Sequence, residues 1–206
     1  MSPGRLITIE GLDGAGKSTL AAALERRLTA SGIDVRLLRE PGGVATAERV
    51  RQLVTDPGST IGARAEALLY AAARAQLVEE AIEPLLVRGV WVLLDRFVDS
   101  SLAYQGGGRG LGVEPVRAIN EFATGGLHPD RTLLLMIAPS LGRTRARARA
   151  DPLDRLERED AEFFTRIASA YAELAAADPE RIRTIDAAQP PGGVLAAALQ
   201  ALADLL

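Results

Sequence analysis

Short apolar runs alternate with stretches of helical periodicity along the 206-residue chain. Arg5-Leu6-Ile7-Thr8-Ile9-Glu10 reads as a short buried strand running into glycines, and Lys17-Ser18-Thr19-Leu20 opens a helix with apolar positions at Leu20, Leu24 and Leu28. That helix stops at Ser31-Gly32, the kind of break that ends a periodic segment. Val35-Arg36-Leu37-Leu38 is a second strand, followed by a glycine loop and a helix near Ala45–Val54. The pattern then predicts one long helix from about Ala63 to Arg88, closed by Gly89. Val90-Trp91-Val92-Leu93-Leu94-Asp95, Thr132-Leu133-Leu134-Leu135-Met136-Ile137 and Ile182-Arg183-Thr184-Ile185-Asp186 complete five strands. A last helix follows Pro190-Pro191-Gly192-Gly193, and alanine runs such as Ala175–Ala177 read as helix filler. Strand and helix alternation of this kind predicts an α/β fold, a five-stranded parallel sheet with helices on both faces. No repeat or low-complexity segment interrupts it, and the length suits one domain.

Composition changes this picture at one residue. Of the 24 lysines and arginines only Lys17 is a lysine. It lies in Gly11-Leu12-Asp13-Gly14-Ala15-Gly16-Lys17-Ser18, which matches the phosphate-binding pattern G-x-x-x-x-G-K-[ST] between a strand and a helix. A compact ammonium reaches phosphate oxygens as a point charge, where a planar guanidinium has the wrong shape. The glycine turn and helix N-terminus aim backbone N–H groups and the positive end of the helix dipole at an anion. The motif therefore implies a bound nucleoside triphosphate and a P-loop NTPase three-layer sandwich. Gly11, Asp13, Gly14, Ala15, Gly16, Lys17, Ser18 and Thr19 form the nucleotide-binding set, with Ser18 the expected Mg²⁺ ligand and Thr19 in a lesser role.

Two further features concern the same chemistry. Asp95 ends an apolar strand, where a carboxylate holds Mg²⁺ directly or through water. Arg96, one residue on, points into the crevice at the carboxyl ends of the strands. Residues 139–149 read as a helix begun by Pro139-Ser140 and ended before Pro152. On it Arg143 and Arg147 share one face, and Arg145 and Arg149 share a nearly opposite one. Together with Arg155 and Arg158 they suit a lid of about residues 140–157 that closes over phosphates. The plainer reading is a charged surface helix balancing Glu157, Glu159, Asp160 and Glu162.

Charge and composition exclude other classes. A net charge of −3 and a pI near 5.4 argue against a nucleic-acid binder. There is no cysteine, hence no disulfide framework or thiolate metal site. Met1-Ser2-Pro3-Gly4-Arg5 is no signal peptide, and no apolar run is long enough to span a bilayer. The expectation is a soluble cytoplasmic protein. His128, the lone histidine, precedes Pro129-Asp130 in a loop and reads as structural.

Taken together these residues resemble the bacterial thymidylate kinases, with ATP as donor and dTMP as acceptor. The likeness covers Glu10 to Thr19, Arg39-Glu40-Pro41-Gly42-Gly43, Tyr70 to Gln76, Asp95-Arg96-Phe97, Ala103 to Gly110, and Arg145 to Arg155. It implies that Asp13 holds the sugar 3′-hydroxyl and that Arg96 spans the acceptor and transferred phosphates. Arg39, Glu40 and Arg51 would border the acceptor phosphate or its metal. Arg74 would donate to thymine O4, Tyr70 would stack on the base where the family usually has phenylalanine, and Ser101 and Gln105 would reach the base edge. Tyr104 would crowd the sugar 2′ position. Because the loop lacks the arginine of eukaryotic-type members, Arg147, Arg149 and Arg155, with Lys17 and Arg96, form the expected catalytic set. The resemblance also implies a homodimer packed through helices. One departure is Leu135-Met136-Ile137-Ala138-Pro139-Ser140, where the family often has Leu-Asp-Val-x-Pro-Glu, so no carboxylate is assigned near position 136. A GTPase switch and a ParA-like ATPase both need a second lysine. The remaining competitor is a P-loop kinase for another nucleoside monophosphate or a metabolite such as shikimate.

Overall fold

The structure, a computed structural model, describes residues 4–148 and 154–206. Five parallel strands form one sheet, β1 (Leu6–Gly11), β2 (Val35–Arg39), β3 (Trp91–Asp95), β4 (Arg131–Met136) and β5 (Ile182–Asp186), in the order β2-β3-β1-β4-β5. Every residue of β1 is buried, as expected for a central parallel strand covered on both faces. Ile9 pairs with Asp95. The loop after β1 and the carboxylate ending β3 therefore emerge side by side, which positions the site. The apolar core lies around the sheet, with Ile7, Ile9, Leu24, Leu133 and Ile167 packed in one cluster and Leu6, Leu77, Val92 and Phe97 in another.

Helices α1 (Lys17–Ala30), α2 (Ala45–Thr55) and α3 (Ala63–Leu77) follow the expected pattern. The long helix expected to reach Arg88 is instead interrupted by a π-helical turn, Val78–Ile82, before α4 (Glu83–Val87). Pro84 is the physical reason, since its ring clashes with the carbonyl four residues earlier and it lacks an N–H, so the helix widens there.

After β3 the chain forms α5 (Val98–Ser101), which runs into a second π-helical stretch, Leu102–Gly108, and then α6 (Val113–Thr124). Three consecutive glycines end that stretch, the last two because α8 (Ala161–Ala177) lies against them. A Cβ on Gly107 would sit 2.6 Å from the Ala170 Cβ, and one on Gly108 would sit 2.8 Å from the Phe163 ring. Helix α7 (Pro139–Arg147) and α9 (Pro191–Ala201) complete the elements. Among the described residues no helix is long and apolar enough to cross a membrane.

Candidate active site

The turn after β1 uses Gly14 and Gly16 in left-handed conformations, φ 79° and 94°, which a side chain would disfavour. Gly16 thereby becomes the N-cap of α1, presenting the orphan N–H groups of its first turn. The Lys17 Nζ donates to the Leu12 carbonyl at 3.0 Å and lies 3.9 Å from Asp13 Oδ1. Burial, with Arg96 nearby, lowers its pKa to about 8, so it remains largely cationic at neutral pH. The Ser18 hydroxyl donates to Asp95 Oδ2 at 2.8 Å. These two hard oxygen ligands fit Mg²⁺, which takes one or two protein ligands and fills its remaining positions with water and phosphate.

Arg96 has φ 71°, the one positive value outside glycine among the described residues, and such a backbone persists only where its surroundings hold it. Glu10 at the end of β1 does so. Its carboxylate accepts from Phe97 N at 2.7 Å, Ser100 N at 3.2 Å, Ser100 Oγ at 2.6 Å and Tyr171 Oη at 2.9 Å. Burial, with Asp99 nearby, pushes the Glu10 pKa up to about 7. So fixed, the Arg96 guanidinium reaches Asp13 Oδ1 at 2.5 Å, the Gly11 carbonyl and the Ser100 and Tyr104 hydroxyls at 3.2 Å each. Burial alone would raise the Asp13 pKa, but Arg96, Lys17 and the Tyr104 hydroxyl hold it well below the usual carboxylate range.

Asp13, Lys17, Ser18, Asp95, Arg96 and Tyr104 line one cavity of about 590 Å³. One end is walled by α3 and the helix after β3, where Arg74 is 1% exposed. Its Nε and Nη2 donate to Glu40 Oε2 at 2.8 and 2.6 Å, Nη1 to Ser101 Oγ at 2.9 Å and to Asn120 Oδ1, and Nη2 also to the Phe97 carbonyl at 2.9 Å. All five guanidinium donors are thus used. Among the described residues the other Glu40 oxygen is buried without a hydrogen-bond partner. The opposite end is walled by Arg145, Ala187, Gln189, Pro191 and Val194, from α7 and the β5–α9 region.

A sequence profile of the thymidylate kinase family matches residues 9–197. The thymidylate kinase of Halorhodospira halophila is 48% identical over 205 residues, covering 98% of this chain and 95% of that protein. That of Deinococcus radiodurans is 50% identical over 190 residues, 92% of each. That of Pseudomonas savastanoi pv. phaseolicola is 47% identical over 204 residues, 98% and 97%. The chain belongs to the thymidylate kinase family.

Within that family frame, the structure brings together most of the residues singled out in the sequence. Asp13 through Thr19 line the cavity, as do Arg39, Glu40, Arg51, Tyr70, Arg74, Asp95, Arg96, Ser101, Tyr104 and Gln105. Gly11 contributes its carbonyl to Arg96 rather than lining the space. Arg51 donates to the Pro41 carbonyl at 3.1 Å, and the exposed Arg39 pairs with Glu48 at 3.0 Å. The arginine-rich segment departs from expectation. Arg155 does not line the cavity; it donates to the Val54 carbonyl at 2.9 Å and to Glu66 Oε2 at 2.7 Å. A fully buried Glu66 carboxylate demands such a partner, so Arg155 serves here as an anchor. Arg147 is exposed and faces a small crevice with Asp13, Arg143, Glu157 and Phe164 outside the main cavity. Arg149 lies outside the described residues. Arg145 is the arginine of α7 that lines the cavity, donating to the Ala187 carbonyl at 3.0 Å. Its face is opposite to that of Arg143, which stacks 5.4 Å from the Phe164 ring centroid.

Sequence reasoning missed the buried supports Glu10, Glu66 and Asn120, and the wall at Gln189 and Pro191. One signal was available. Glu66, Tyr70 and Arg74 recur every four residues on α3, so they share a face.

Proposed function

We infer that this cavity carries out the family's reaction, transfer of the γ-phosphoryl group of ATP to dTMP to give dTDP. The carrying observation is that one continuous cavity holds the Lys17 loop, Arg96 and the Tyr70–Arg74–Gln105 wall. A phosphate-binding loop alone would fit many kinases. A half-buried aromatic ring beside buried polar groups suits a planar base.

The attacking phosphate oxygen of the acceptor is already ionised at neutral pH, so no general base is needed. The barrier lies in bringing anions together in line, which calls for a preorganised cationic clamp. Lys17 and Arg96 supply that clamp, with Arg96 held between the two phosphate positions by Asp13 and Glu10's grip on its loop. Ser18 and Asp95 would hold Mg²⁺, which when bound neutralises charge on the phosphates. Asp13 has lone pairs remaining for the sugar 3′-hydroxyl after accepting from Arg96 and Tyr104. The Tyr104 ring, beneath Arg96 at 4.9 Å, would crowd a 2′-hydroxyl. At the base end Tyr70 stacks, and Ser101 and Gln105 meet the base edge. Arg74 reaches thymine O4 only by giving up one of its bonds to Ser101 or Asn120. Arg39, Glu40 and Arg51 border the acceptor phosphate. Helix α7 acts as the lid, with Arg145 the one of its arginines that lines the cavity and Arg147 turned in on closure.

Leu53, Leu68 and Phe122 stand exposed, Phe122 at 91%, on α2, α3 and α6. Helix α3 packs against both α2 and α6, and a homodimer joined through these helices would cover that apolar surface. Sedimentation at micromolar concentration tests it, a monomer being the contrary result. We place the reaction in the cytoplasm, where ATP is supplied. Steady-state kinetics with ATP and dTMP, dUMP, dGMP, AMP or shikimate test the substrate reading. The expected result is the highest kcat/KM for dTMP, and AMP or shikimate matching it would overturn the reading.

A further inference from the structure

Glu66 is 0% exposed and touches none of the reacting groups, yet four donors converge on it. Gln105 Nε2 donates to Oε1 at 2.9 Å, Arg155 Nη2 to Oε2 at 2.7 Å, and Arg109 through Nε at 3.2 Å and Nη2 at 3.0 Å. We propose that Glu66 is a positioning residue that sets which pyrimidine the acceptor pocket accepts, by fixing the orientation of the Gln105 side-chain amide. The proposal rests on the reading of Gln105 as a base-edge residue.

An ionised carboxylate accepts hydrogen bonds and donates none. Burial would raise the Glu66 pKa, but the bonds from Arg109, Gln105 and Arg155 hold it below the ordinary carboxylate value. Gln105 must therefore present its NH₂ to Glu66, which turns Oε1 the other way. Gln105 is itself 2% exposed and lines the cavity. Its Oε1 accepts no hydrogen bond among the described residues, yet it is not sealed from solvent. The atom left facing the ligand is thus an obligate acceptor. A 2,4-dioxopyrimidine offers an N3–H to it. A 4-aminopyrimidine offers a lone pair at N3, and two facing acceptors in a buried site discriminate strongly. With a neutral amide at position 66, Gln105 is free to turn over and offer its NH₂ to that lone pair.

The test is Glu66→Gln, read as the ratio of kcat/KM for dTMP to that for dCMP. The ratio should fall by about tenfold or more, through a raised KM for dTMP and a lowered one for dCMP. A merely structural role would lower activity toward both and leave the ratio unchanged. Glu66→Asp, which keeps an acceptor-only group, should retain most of the wild-type ratio. Should the single variant not fold for want of a counter-charge to Arg155, Glu66→Gln/Arg155→Gln removes both charges together and carries the same expectation. Gln105→Ala separates the two readings. If it lowers the ratio and folded Glu66→Gln does not, the positioning role is overturned while the base-edge reading stands. If Gln105→Ala leaves the ratio unchanged, the base-edge reading falls and the proposal with it.

Discussion

The two ends of the cavity handle arginine in opposite ways. At the acceptor end Arg74 is buried and every one of its donors is matched by the protein, with Glu40 as its counter-ion at 2.6 Å. On α7 Arg145 and Arg147 remain exposed, and among the described residues Arg145 has a single carbonyl partner. Buried pairs bring a desolvation penalty during folding, and in return hold their geometry before any ligand arrives. Exposed cations keep their hydration and their rotamer freedom until an anion orders them. One end is therefore built in advance, while the cations at the other keep their freedom. On the function proposed above, selectivity for the acceptor would belong to the prebuilt end and commitment to transfer to the exposed one.

The largest expected effect breaks this comparison most cleanly. Arg74→Ala leaves Glu40 buried without its cation, at a cost of about 3–5 kcal/mol in stability. Arg147→Ala removes an exposed side chain and should stay within about 0.5 kcal/mol. Thermal unfolding of the two variants should differ by roughly 10 °C, and equal, small shifts would refute the contrast. Next comes the clamp between the two ends. Lys17→Ala, and also Lys17→Arg, should reduce turnover about a hundredfold or more; near-normal turnover in the arginine variant would show that the lysine was not kept for its shape.

Buried carboxylates sharpen the comparison further. Glu66 faces arginines, whereas Glu10 is bonded by neutral donors and keeps its proton to about pH 7, against an ordinary value of 4.5. The folded protein thus binds a proton there that the unfolded chain releases between pH 4.5 and 7. The stability Glu10 contributes is fully present below pH 4.5 and is lost as pH rises to about 7, on the order of 3 kcal/mol at most. Glu10→Gln does not titrate, so its stability relative to the parent should improve from pH 5 to pH 8 in urea unfolding. A pH-independent difference would contradict the assignment. The smallest effect separates the faces of α7. Arg145→Ala should lower kcat by about tenfold, the worth of one charge-assisted hydrogen bond, and Arg143→Ala much less. Equal mild losses would make α7 a solvated surface face.

Legibility in the sequence followed the same division. The Gly11–Ser18 loop, the five strands and Asp95-Arg96 were readable because strand–glycine–helix patterns encode them, whereas Arg39, Glu40, Arg51, Tyr70, Arg74, Ser101, Tyr104 and Gln105 were reached only through the resemblance to the family. The helix through Gly106-Gly107-Gly108 was not readable, because glycines usually break helices and the reason for the last two is α8 packed against them from far along the chain. Arg155 was misplaced for a similar reason. Nothing near it in sequence announces Glu66, 89 residues away. Arg145 and Arg147 were correctly placed on different faces, but which face meets the cavity depends on how α7 lies on the phosphate loop. A Cβ on Gly142 would come 2.9 Å from the Asp13 carbonyl oxygen, a close approach that periodicity cannot register.

Hydrogen exchange tests the contrast between the two ends most directly, comparing the free protein with the complex of Mg²⁺, dTMP and a non-hydrolysable ATP analogue. Amides of α3 around Glu66 to Arg74 should be strongly protected in the free protein and change little on binding. Amides of α7 from Leu141 to Arg147 should exchange quickly when free and slow by about tenfold or more in the complex. Rapid exchange of α3 that is quenched only by dTMP, or an α7 protected equally with and without ligands, would contradict that contrast.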